Sequence, residues 1–116
     1  MQRLRESLAD VLASAKLAVE YCAAVNEAEF LEDLKLQDAV IRRIGIIGEA
    51  ARRVPEADRA SRPELPWKAM MGMRNVMIHQ YDDVDPTIVW ETVAEDLPRL
   101  IRSVESAIRQ IEQSSS

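Results

Sequence analysis

Arg74, Asn75, His79 and Tyr81 fall within one run, Arg74-Asn75-Val76-Met77-Ile78-His79-Gln80-Tyr81. His79 is the only histidine in the chain, and so the one side chain whose ordinary pKa lies near neutrality. On an α-helix, five residues of separation place His79 roughly 140° around the axis from Arg74 and about 7.5 Å along it. The two side chains do not touch at that spacing, but both are long enough to converge on a group between them. A phosphate diester has a suitable size. His79 could then move protons as a general acid or base while Arg74 stabilises developing negative charge. Asn75 could orient a ribose hydroxyl or a phosphate oxygen. Each residue also has a plainer role open to it. Arg74 could pair with a carboxylate of another helix, such as Glu49. His79 could simply favour the negative end of a helix dipole. Tyr81 could be a loop tyrosine packed on the end of a bundle.

Other chemistries fit the sequence poorly. One histidine and one cysteine, Cys22, cannot build a zinc site of the usual nitrogen and sulfur kind. Asp82, Asp83 and Asp85 lack the spacing of a calcium loop and suit turn and cap positions. There is no phosphate-binding loop of the G-x-x-x-x-G-K type and no G-x-G-x-x-G. No metal and no cofactor are expected. Cys22 lies on an apolar helix face, where a small core residue is the simpler reading than a reactive thiol.

The elements that must position the run are helical. Ala, Leu, Glu and Arg dominate and glycine is scarce, which favours helix. A first helix is expected from about Gln2 to Val25, burying Leu4, Leu8, Val11, Leu12, Ala15, Ala18, Val19 and Cys22. Asn26 and Glu29 have the spacing of a capping box for a short helix, with Phe30 and Leu31 over the bundle end. A second long helix is expected from about Asp33 to Val54, with Leu36, Val40, Ile44, Ile47, Ala51 and Val54 inward. Gly45 and Gly48 inside it each cost roughly 1 kcal/mol against alanine, and close approach of a neighbouring backbone would offset that. Pro55 ends this helix. The stretch from Pro55 to Pro66 reads as a linker with one short turn at Glu56–Ala60.

A third helix is expected from Trp67 through Ile78 or His79. Its apolar stripe is Trp67, Met70, Met71, Met77 and Ile78, with the methionines as core or dimer-interface filler. Arg74 stands in line with that stripe, where a bundle built only for stability would place an apolar residue. Asp85 as N-cap and Pro86 at the first helical position start the last helix. It points Val89, Val93, Leu97, Leu100, Val104, Ala107 or Ile108, and Ile111 inward. Pro98 predicts a kink near Ala94–Pro98. The fold class is therefore all-α: an antiparallel four-helix bundle with a Pro-kinked last helix. Residues 1–112 are read as one domain, with 113–116 as a frayed tail.

The net charge of −5 hides a segregation. Residues 42–74 hold eight basic side chains against four acidic ones, and both flanking segments are acidic. A basic region leading into Arg74 can attract phosphate even on an acidic protein. The alternative is a set of solvated helix faces with carboxylates one turn away. Charged residues interrupt every apolar run, so neither a signal peptide nor a membrane span is expected. A lone cysteine makes a reducing cytoplasm the default location.

The Arg-Asn-x3-His-x-Tyr run resembles the R-x4-H-x-Y motif of HepT toxins, a branch of the HEPN superfamily of small helical ribonucleases. Gln37-Asp38-Ala39-Val40-Ile41-Arg42-Arg43, followed by Ile46-Ile47-Gly48-Glu49-Ala50-Ala51, is similar to the second helix of that family. Pro66-Trp67 and the segment from Trp90 to Pro98 fit as well, so the likeness runs from about Leu4 to Ile111. The linker between Pro55 and Pro66 matches least well. The resemblance implies an HEPN-like bundle and a metal-independent endoribonuclease toxin that cuts RNA by 2′-hydroxyl attack. It implies Arg74 and His79 as catalytic residues, Asn75 in substrate positioning, and a homodimer whose two motifs share one cleft. It further implies an MntA-type nucleotidyltransferase antitoxin that transfers AMP from ATP onto Tyr81. Related bundles also serve as non-catalytic binding modules of nucleotidyltransferases, which is the rival expectation.

Overall fold

Apolar residues of the first helix recur at alternating spacings of four and three, and that repeat decides what the helix buries. The computed structural model describes residues 2–75 and 84–114. In it α1 spans Gln2–Cys22 and buries Leu4, Leu8, Val11, Ala15, Ala18 and Cys22. Leu12 and Val19, also expected inside, are only partly buried at the edge of the core. The helix stops at Cys22 rather than Val25. Short i→i+3 backbone bonds from Ala23 and Val25 close its end.

The next two helices share a single aspartate. α2 (Glu27–Glu32) opens on the expected capping box: the Asn26 side chain accepts from the Glu29 amide at 2.9 Å. The Glu29 carboxylate in turn accepts from the Asn26 amide at 3.0 Å. Asp33 ends α2 and caps α3 (Leu34–Arg52), its carboxylate accepting from the Leu36 amide. The buried Gln37 then donates from Nε2 to the carbonyls of Phe30 and Leu31 at 2.9 and 3.2 Å. Both carbonyls lie at the end of α2, where acceptors need partners from outside the helix, and the Phe30 carbonyl also accepts from the Asp33 amide, so Gln37 locks α2 onto α3. Phe30 is fully buried against Trp90, their ring centroids 5.3 Å apart. Leu31, expected to pack beside it, faces solvent.

Beyond α3 the chain makes the short helix α4 (Glu56–Ala60) inside the proline-bounded linker. The Trp67 indole donates to the Arg62 carbonyl at 2.9 Å, and Leu65 is buried. These two contacts tie the linker down before α5 (Trp67–Gly72) begins. The third helix was expected to run unbroken past Arg74. Instead it breaks at Met73, and residues 74 and 75 are helical again.

Asp85 and Pro86 start α6 (Pro86–Glu91) as expected, with the Asp85 carboxylate accepting from the Thr87 amide. A π-helical turn at Thr92–Asp96 follows, and then α7 (Leu97–Ser114). Pro98 explains that turn. It has no amide proton, and its ring crowds the carbonyl four residues back, that of Ala94. The Leu97 amide reaches back five residues to the Thr92 carbonyl, which widens the helix and lets it continue instead of stopping. The face of α6, the π turn and α7 that turns inward is Val89, Val93, Leu97, Leu100, Val104, Ala107 and Ile111. Of Ala107 and Ile108, Ala107 takes the inward position and Ile108 is partly buried at its edge.

The described residues form an all-α bundle around one hydrophobic cluster. α1 packs on α3 and α7, and α5 packs on α3. Arg5 pairs with Glu112 and Lys16 with Glu105, so α1 and α7 run in opposite directions. No helix among the described residues is long and apolar enough to cross a membrane. Gln37→Leu should destabilise the protein by about 1–2 kcal/mol, because the Leu31 carbonyl loses the Gln37 donor and the Phe30 carbonyl is left with the Asp33 amide. Urea unfolding read by circular dichroism measures it. A loss under 0.5 kcal/mol would show that Gln37 does not hold α2.

Candidate active site

Arg74 reaches its position through the backbone. Trp67 and Met70 anchor α5 in the core, and Met71 and Met73 are partly buried beside them. Of these methionines Met70 is fully buried and cannot serve as interface filler. After the break at Met73 the chain lies directly on Gly48 of α3. A Cβ at residue 48 would stand 2.8 Å from both Cα and Cβ of Arg74 and closer still to its amide nitrogen. Only glycine permits that approach. The close contact expected at the glycines of the second long helix is thus made at Gly48, and its partner is the backbone of Arg74 itself.

The side chain of Arg74 does not enter the core. Both Arg74 and Asn75 are exposed. The expectation that Arg74 fills a gap in a buried stripe is corrected: its Cβ rests against Gly48, and the residue as a whole is exposed. Pairing with Glu49 is absent too. Glu49 is exposed, and none of the ion pairs among the described residues involves Arg74. An exposed guanidinium with no partner among the described residues has donors to offer a ligand. His79 and Tyr81 lie outside the described residues, so what the structure places together from the run is Arg74 and Asn75.

Two arginines converge on Met71, three residues before Arg74. Arg52 donates from Nε to the Met71 carbonyl at 3.2 Å, which satisfies an oxygen near the end of α5 with a cation, a favoured arrangement there. Arg59 directs Nη1 at the Met71 sulfur, 2.7 Å away. Basic residues 42–74 stood out as a block in the sequence, but no local signal singled out Arg52 or Arg59. The sole hint is that Arg52 follows Gly48 by one helical turn and so shares its face.

Two further expectations concern side-chain chemistry. Cys22 is a buried free thiol, and burial pushes its pKa up. That fits a core residue and not a nucleophile. Among the described residues no group of three or more His, Cys, Asp or Glu side chains is placed to hold a metal ion.

The contact at Gly48 yields a paired test. Gly48→Ala should lower stability even though alanine is the better helix former by about 1 kcal/mol, because the backbone at Arg74 must move. Gly72→Ala, where an added Cβ meets nothing within 4 Å, should be neutral or mildly stabilising. Thermal denaturation of the two variants decides it. A Gly48→Ala protein more stable than wild type would remove the contact from the account.

Comparison with known proteins adds to this geometry. The family model described as "Ribonuclease HepT-like" matches residues 11–107. The chain is 39% identical over 98 residues to a Methanocaldococcus jannaschii protein assigned as an RNase, covering 84% of this chain and 90% of that one. A second M. jannaschii protein assigned as an RNase is 36% identical over 109 residues, 94% of this chain and 90% of its own length. A Thermococcus cleftensis protein assigned as ribonuclease HepT is 40% identical over 96 residues, 83% of this chain and 87% of that protein. No solved structure matches the chain. Both the family model and these relatives span the α3 glycine contact and the Arg74 run, and the chain belongs to the HepT-like ribonuclease family.

Proposed function

We propose that this protein is a metal-independent endoribonuclease of the HEPN type, acting as the toxin of a toxin–antitoxin pair in the cytoplasm. The observation that carries the reading is Arg74: exposed, in no ion pair among the described residues, and held by a backbone contact that only glycine allows. A protein does not gain stability from such a cation, so its use lies with a ligand. RNA phosphate is the ligand the family membership favours.

In the proposed reaction a ribose 2′-oxygen attacks the adjacent phosphorus as its proton passes to a base. The 5′-oxygen leaves and takes a proton from an acid. The products are a 2′,3′-cyclic phosphate and a 5′-hydroxyl end. Arg74 stabilises the extra negative charge of the phosphorane, and Asn75 positions the substrate. His79 supplies the proton transfers. One histidine per chain cannot serve as base and acid at once, and a homodimer that brings two copies of the run to one cleft supplies both. Neutralisation is proposed to occur at Tyr81. Its phenolic oxygen attacks the α-phosphorus of ATP on an MntA-type nucleotidyltransferase, pyrophosphate leaves, and the phenolic proton is released. The AMP adds bulk and negative charge two residues from His79, where RNA phosphate would lie.

Cleavage of RNA by the isolated protein in EDTA tests the activity. Arg74→Ala should cut the rate about 100- to 1000-fold, as loss of a charge-stabilising donor does, and His79→Ala about 100-fold or more. Stability of the Arg74→Ala protein should stay within about 0.5 kcal/mol of wild type, because an exposed, unpaired side chain is removed. Full activity in either variant would sink the mechanism. A large stability loss in Arg74→Ala would point to a structural role instead.

The net charge of −5 favours one other reading, a non-catalytic module that binds a nucleotidyltransferase. Co-expression with such a partner separates the two. Tyr81→Phe should abolish incorporation of AMP from ATP and leave the toxin active in the partner's presence. A stable complex without RNA cleavage or AMP transfer would support the module.

A further inference from the structure

Eight basic side chains lie between residues 42 and 74, and the structure sorts them by what they touch. Arg53 pairs with Asp10 at 2.9 Å. Arg62 pairs with Glu64 at 3.4 Å and also donates to the Gln110 side chain. These charges are matched within the fold. Arg42 and Arg43 are in no ion pair among the described residues either; Arg52 and Arg59 differ in sharing one target. Neither takes part in an ion pair among the described residues. Both converge on Met71, one on its carbonyl oxygen and one on its sulfur. A thioether is a weak acceptor, and each guanidinium keeps most of its donors.

Position completes the pattern. Lys68 is exposed on α5 and lines the same shallow hollow as Arg59, Trp67 and Met71. Glu56 borders that hollow but makes no ion pair there. Arg52 stands one helical turn beyond Gly48, the residue that carries the Arg74 backbone. Lys68, Arg59 and Arg52 therefore lead along one face toward Arg74. On a chain of net charge −5, a polyanion is repelled by the whole and held only where cations are left unmatched.

We infer that Arg52, Arg59 and Lys68 form a phosphate-binding strip that holds a single RNA strand beside Arg74, on the phosphates that flank the cut bond. The inference rests on the ribonuclease reading, since it names how that same site holds its substrate. The strip positions the strand and takes no part in the chemistry. Its contacts are to the backbone, so it binds without regard to base sequence.

The test is the salt dependence of binding. A short fluorescent single-stranded RNA of mixed sequence is titrated with the full-length His79→Ala protein at several potassium chloride concentrations. Anisotropy gives log Kd against log salt. Each lost single-strand phosphate contact flattens that slope by about 0.7, so Arg52→Gln with Arg59→Gln should flatten it by about 1.4. The matched Arg52→Lys, Arg59→Lys protein should keep the wild-type slope. So should Arg53→Gln, whose charge Asp10 already matches. An unchanged slope in the double glutamine variant overturns the strip. Cleavage of the same RNA by wild-type protein is measured alongside. Cleavage together with an unchanged slope removes the strip alone. A wild-type protein that neither binds nor cleaves RNA removes the ribonuclease reading and the strip with it.

Discussion

The backbone of Arg74 rests on a glycine of α3, and the candidate site depends on that contact. Gly48 brings the chain after Met73 so close that a single added carbon at residue 48 would approach atoms of Arg74 to 2.8 Å or less. α5 ends after Gly72, and residues 74 and 75 beyond it are helical and exposed. A straight helix through Arg74 would have carried its side chain along the line of Trp67 and Met70, toward the core. Burying it there without a partner would cost several kcal/mol. The close approach to α3 fixes where Arg74 sits, with its Cβ against Gly48 and the residue still exposed.

Backbone polar groups account for much of the rest of the bundle. Helix ends expose donors and acceptors that must find partners, and this chain meets the demand with few residues. Asp33 serves the end of one helix and the start of the next. Gln37 satisfies two carbonyls of α2 from inside the core. Trp67 does the same for the linker through Arg62. Pro98, which lacks a donor, is accommodated by a π turn rather than by a break, so Val93 and Leu97 both stay buried on either side of the irregularity.

The charges divide along the same lines. Arg5, Lys16, Arg53 and Arg62 are paired with carboxylates, most of them on the surface. Such pairs contribute little to stability, on the order of 0–1 kcal/mol each. Arg52, Arg59 and Lys68, near the junction of α3, α4 and α5, are in none of these pairs.

Periodicity in this chain was sufficient to determine the helices and most of what they bury. The α1 stripe, the Asn26–Glu29 capping box, the short turn at Glu56–Ala60, the Asp85-Pro86 start and the inward face from Val89 to Ile111 were all legible, because each follows from spacing within a few residues. The Arg-Asn-x3-His-x-Tyr run was legible for the same reason, and so was the family. Tertiary structure alone decided the break at Met73, the exposure of Arg74, the partner of Gly48 and the convergence of Arg52 and Arg59 on Met71. Those features arise between segments that are distant in the chain. A helical repeat reports which side of a segment is apolar, but not how closely another backbone will approach it, nor which cations will be left without a carboxylate once the helices have packed.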